Sequence, residues 1–150
     1  MLSKKNEKLL VEITKRFFLT AEKEQLDVRA LNNALTDVKR IFEKDPKNKD
    51  DACQILQKER LDLENHHIAG KFNSEITVTI CVDCHIHIGI RQLLWNSSWN
   101  LANNPENMKS SFVLQGVQEI FIEKHFKTGI RDYRLLADSL SSTIKHYQEI

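Results

Sequence analysis

Five side chains that bind transition metals well fall within twenty residues of this 150-residue chain: His66, His67, Cys81, Cys84 and His85. His87 lies just beyond, and of the remaining histidines there are only His125 and His146. Imidazole nitrogen and thiolate sulfur are the donors of choice for zinc and related ions. One such residue alone would read as an ordinary buried histidine, but this grouping points to a metal site. Cys81-Val82-Asp83-Cys84 has the CxxC spacing that brings two sulfurs to one ion. A redox role for the pair fits less well, because His85 follows directly and a strand pattern precedes it.

The elements around these residues follow from hydrophobic period. Leu61 and Leu63 alternate with Asp62 and Glu64, and Ile76, Val78 and Ile80 alternate with Thr77 and Thr79. Period two predicts two short antiparallel strands across 61–81, joined by a wide loop at Ala69–Ser74. From Cys84 to Trp95 a helix is expected, so the order is strand, loop, strand, helix. Trp95 and Trp99, four apart, are read as core packing on that helix, with base stacking as the sharper alternative. Upstream, Leu9, Leu10, Ile13 and Phe17 form one helical stripe, and Val28, Leu31, Leu35, Val38 and Phe42 form another, with Thr20 as a candidate cap for the second helix. Lys44-Asp45-Pro46-Lys47-Asn48 breaks the pattern and reads as a loop. After Asn103-Asn104-Pro105 two more helices are expected, one through Val113, Val117, Ile120, Phe121 and Lys124, the other through Leu136, Leu140, Ile144 and Tyr147, with Gly129 as the stop between them. The fold class is therefore α+β and mostly helical: a helical segment at 1–51, a metal-binding hairpin–helix module at 52–104, and a helical segment at 105–150, packed as one domain.

The stretch Glu64-Asn65-His66-His67-Ile68-Ala69-Gly70-Lys71-Phe72-Asn73-Ser74, followed by Thr77 to His85, resembles the HNH-type endonuclease signature, in the phage and bacterial form HHIxG…N…CxxCH. Arg91-Gln92 and Trp95 resemble its tail. The likeness spans about a third of the chain. It implies a ββα-metal fold and metal-dependent hydrolysis of DNA phosphodiesters. By resemblance His67 is the general base and Asn73 holds the base or its loop. His66 and His85 are ligands of a divalent ion (Mg²⁺, Mn²⁺, Ni²⁺ or Zn²⁺). Lys71 and Arg91 border the site and are candidates to reach phosphates. The chemistry suits these residue types: the reaction needs an attacking water, a base to deprotonate it, and positive charge on the phosphate oxygens. Two departures from the pattern stand out. The usual central Asn position is Ile76 here, leaving Asn73 as a displaced candidate. Of two paired-cysteine motifs that many members use for a structural zinc, one is Cys81 and Cys84, while the other keeps Cys53 and has Leu56 in place of its second cysteine. A structural zinc would take Cys53, Cys81 and Cys84, with His87 as the candidate fourth ligand.

Net charge of +1 decides little about partners, since a local basic groove is compatible with it. No stretch approaches the ~18–20 consecutive apolar residues a membrane span needs, so no membrane partner and a cytoplasmic location are expected. DNA is the expected partner, and a protein docked on the flanking helices is a second. Two other expectations compete with the nuclease. One is a non-catalytic metal-stabilised module that binds nucleic acid or a protein, favoured by the missing fourth cysteine and the displaced Asn. The other is a helical interaction domain in which the hairpin is only a stapled insert.

Overall fold

The computed structural model describes residues 2–150. Two helices open the chain, α1 at Lys4–Glu24 and α2 at Val28–Glu43. A two-residue pairing follows, β1 at Ala52–Cys53 with β2 at Lys58–Glu59. The main hairpin is β3, Leu63–His67, antiparallel to β4, Thr77–Cys81, with His66 opposite Val78 and His67 opposite Thr77. Helix α3, Val82–Gln92, starts where β4 stops, and a short 3-10 turn spans Ser97–Asn100. Three helices close the chain: α4 at Glu106–Thr128, α5 at Arg131–Asp138 and α6 at Ser141–Glu149. The fold is α+β and dominated by helices, as the change from helical period to period two and back predicts.

Helix α4 is the axis of the molecule. Phe112, Val113, Leu114, Val117 and Phe121 are all buried, as are Ser110 and Glu123 on its other sides. A helix buried around most of its circumference is a central one. On one flank Phe17 of α1 meets Phe121 edge-on at 5.3 Å, and Tyr133 of α5 stacks on the same ring at 6.3 Å. On the other flank stands the hairpin. A Cβ at Gly116 would fall 2.2 Å from the Ile68 carbonyl oxygen, so only glycine lets α4 seat this close to the chain leaving β3.

Three local details differ from the sequence-based expectation. Thr20 lies inside α1; Asp27 caps α2 instead, its carboxylate accepting from the backbone N–H of Arg29 at 2.7 Å and of Ala30 at 3.3 Å. The final helix is two, because the chain turns at Ser139–Leu140 with no proline or glycine to announce it. Helix α3 ends at Gln92, so Trp95 and Trp99 do not share a helix face. They still pack as core: Trp95 stacks on Phe112 at 6.0 Å and meets Trp99 edge-on at 5.8 Å. Gly129, the expected stop, does end α4 in the left-handed conformation. Among the described residues no helix is long and apolar enough to cross a membrane.

Candidate active site

The period-two alternation of β3 sorts its side chains onto two faces. Glu64 and His66 turn toward α3, and Asn65 and His67 turn away. On the α3 side the His66 ring lies 5.0 Å from that of His85, with the planes at 62°. His85 sits in the first turn of α3, which the β4–α3 junction carries directly over β3. Two imidazoles sharing one ion at about 2.0–2.1 Å each must bring their rings this close.

Glu64 supplies the orientation. His85 Nδ1 lies 3.1 Å from Glu64 Oε1, and since a carboxylate accepts, the ring proton sits on Nδ1. Nε2 is then the nitrogen turned away from the carboxylate, the arrangement by which a carboxylate orients a histidine ligand. His66 is buried, and its Nε2 has no hydrogen-bond partner. Burial, reinforced by His85 and His67 nearby, pushes its pKa down to about 3, so the ring is neutral. His66 and His85 are the residues of this face that would hold a divalent ion, two donors where the cysteines described below bring three together. Glu64 had no assigned role in the sequence reading. Its position two residues before His66, on the same strand face, was the signal.

His67 does not join that pair. It is the last residue of β3, exposed, on the opposite face of the strand. That face is braced from α2: Lys44 Nζ donates to Asn65 Oδ1 at 3.1 Å and to Thr79 Oγ1 at 2.7 Å. Desolvation lowers the Lys44 pKa.

Asn73 is a buried clamp on the loop that follows. Its amide donates to the Ala69 carbonyl at 2.8 Å and to the Trp99 carbonyl, and its oxygen accepts from Asn104 Nδ2 at 2.9 Å. The loop is thereby tied to the 97–104 segment. Gly70, at φ +81°, lies under Trp99, whose ring would be 3.0 Å from any Cβ there. Lys71 remains on the exposed outer side of this loop, its Nζ 5.3 Å from the exposed Phe72 ring.

Arg91 and His87, expected at phosphate and at zinc, are engaged elsewhere. Arg91 donates to Glu119 at 2.8 Å and to Glu123 at 3.0 Å, while His87 Nδ1 bonds Glu123 at 2.9 Å. Both acidic residues are buried on α4, and desolvation raises the Glu119 pKa despite the Arg91 contact. The cluster fastens α3 to α4. Acidic residues in the middle of an apolar helix are the trace it leaves in sequence, legible only once α3 is known to lie alongside.

Cys53, Cys81 and Cys84 come together from β1, the end of β4 and α3. All three are buried and unpaired by disulfide, with sulfurs within 4.8 Å of one another and Cys53 Sγ 4.0 Å from Cys84 Sγ. A zinc tetrahedron with arms of ~2.3 Å has edges of about 3.8 Å, so this trio can hold a metal ion such as zinc. The bond to Cys84 lowers the Cys53 pKa to about 5, helped by the backbone N–H groups of Leu56, Cys81 and Ile55, while Cys84 is pushed up.

The chain was compared with family models, with curated proteins and with solved structures, and it matches none of them.

Proposed function

We propose that this chain is a metal-dependent endonuclease of the ββα-metal type, hydrolysing phosphodiester bonds of DNA. The observation that carries the reading is the His66–His85 pair, with an unpartnered buried Nε2 on one ring and a carboxylate-oriented Nε2 on the other. His66 and His85 would hold a divalent ion, which would supply positive charge to the phosphate oxygens. His67 acts as the base, taking a proton from the attacking water onto a ring nitrogen. In-line displacement puts attacking and leaving oxygens on opposite sides of phosphorus. Asn73 keeps the loop after His67 from moving, and Lys71 offers the cation left free to meet the phosphate backbone.

The test is relaxation of supercoiled plasmid with Mg²⁺, Mn²⁺, Ni²⁺ or Zn²⁺, with and without chelator. Chelator-sensitive nicking is expected. His67→Ala should leave metal binding intact and slow cleavage about 10²–10⁴-fold, the range for losing a general base. His85→Ala should weaken metal binding itself. Wild-type protein that binds a divalent ion yet cuts no DNA with any of these ions would replace the nuclease by a non-catalytic metal-stabilised module. That second reading is favoured by the incomplete cysteine set.

A further inference from the structure

We propose that the groove between α1 and α6 binds a single strand of nucleic acid by its phosphate backbone. None of its lining residues comes from the hairpin module, so it stands apart from the nuclease reading, which rests on His66 and His85. The groove measures about 470 Å³, and α1 lines it with Lys8, Lys15 and Arg16. Among the described residues none of these three cations makes an ion pair or a side-chain hydrogen bond, although Arg16 is half-buried. Elsewhere a half-buried guanidinium finds carboxylates, as Arg91 does at 2.8 Å. A partly desolvated arginine with no partner inside the fold suits an anion that arrives from outside.

The opposite wall carries hydrogen-bond donors. Ser142 and Thr143 stand in the first turn of α6, which has no side-chain cap, so hydroxyls and open backbone N–H groups meet there, with His146 one turn on. The only carboxylate side chain lining this groove, Glu12, is turned onto α6: both its oxygens accept from the Tyr147 hydroxyl, at 2.8 and 3.0 Å. The cations of α1 are left facing the opening.

Length selects the ligand. A second groove of about 480 Å³ continues the first, sharing Arg16, Leu19 and Ser142 and adding Lys23. Asp138 there is held by Arg134 at 3.1 Å, and Glu24 marks the far end. From Lys8 to Lys23 the α1 wall runs ~22 Å, at 1.5 Å per residue. That is room for roughly six nucleotides at 3.4 Å each, and too long for a mononucleotide. The cations sit in a recess that a flat lipid surface does not enter. Phe18, exposed one turn after Lys15, offers an unstacked base a ring to lie on, which an acidic peptide would not use.

The experiment is fluorescence anisotropy of a labelled single-stranded oligonucleotide about twice as long as the groove, titrated with the full chain in chelator over a series of potassium chloride concentrations. Nothing is cut in chelator, so the result does not depend on nuclease activity. Four cations on the backbone predict that log Kd rises with log salt at a slope of about 3. Lys15→Gln with Arg16→Gln, checked for folding by circular dichroism, should weaken binding about tenfold or more and lower the slope by about 1.4. Phe18→Ala should weaken binding about tenfold and leave the slope unchanged. The proposal is overturned if the wild type binds no oligonucleotide at low salt, if either of these variants binds like the wild type, or if Lys71→Gln in the hairpin loop weakens binding where the double variant does not. Displacement of the oligonucleotide by anionic phospholipid vesicles, or by polyglutamate at equal charge, also overturns it, because the groove would then answer to any polyanion.

Discussion

Acidification should destabilise the metal-free protein through His66 well before its carboxylates titrate. The ring is buried and neutral, with a folded-state pKa of about 3 against an ordinary 6.5. Between those values the unfolded chain binds a proton that the folded chain refuses, so stability falls as pH falls. Far below 6.5 the slope is ~1.4 kcal/mol per pH unit. Integrated from pH 7.5 to 5, the loss is about 2 kcal/mol, a large share of a small domain's stability. The assay is urea unfolding in chelator at several pH values, for wild type and for His66→Asn, which has no imidazole at that position. The wild-type curve should fall by about 2 kcal/mol relative to the variant over that interval, with an unchanged denaturant slope. Parallel curves would mean that His66 can take its proton without leaving the fold. Its unpartnered Nε2 would then be reaching water, and the argument for a preformed ligand would fail.

Replacing Asn73 with Ala removes the amide that binds the Ala69 and Trp99 carbonyls and the oxygen that accepts from Asn104, which keeps its bonds to the Ser98 and Leu101 carbonyls; a loss of about 1–3 kcal/mol and faster hydrogen exchange at 69–74 are expected. Gly116→Ala drives a methyl group into the Ile68 carbonyl, and calorimetry should find a loss of about 3 kcal/mol, the upper end for overpacking. Lys124 of α4 and Asp37 of α2 form a buried ion pair. Lys124→Met should cost about 3–5 kcal/mol by leaving the buried carboxylate without its paired cation, with only the Gln57 amide bonded to it, whereas Lys124→Met with Asp37→Leu should recover most of it.

The hairpin, the helix after it and the flanking helices were legible because apolar residues repeat at two and then at three to four along the chain. The partners of Asn73 at Trp99 and Asn104 were not legible, since they lie in a segment with no period. The β1–β2 pairing escaped notice because two residues a strand leave no alternation to read. Arg91 and His87 show the harder limit. Near a cluster of ligands each resembles a functional residue. What commits them to Glu119 and Glu123 is a helix packing beside them from about thirty residues away. Sequence separation hides a charge's partner, and a charge already neutralised in the fold has little left to offer a phosphate.

The close seat of α4 at Gly116 bears on how this site could be moved or engineered. The strand that carries His66 and His67 emerges directly into a backbone contact with a helix some fifty residues downstream. Excising 52–104 as a portable cassette would strip that wall away and bare Ile68, Val78, Ile80 and Ile88 to water. A graft into another scaffold, or a split-protein reporter built on this hairpin, would have to carry α4 with it, and a cut between Asn100 and Pro105 should produce two pieces that function only when they reassociate.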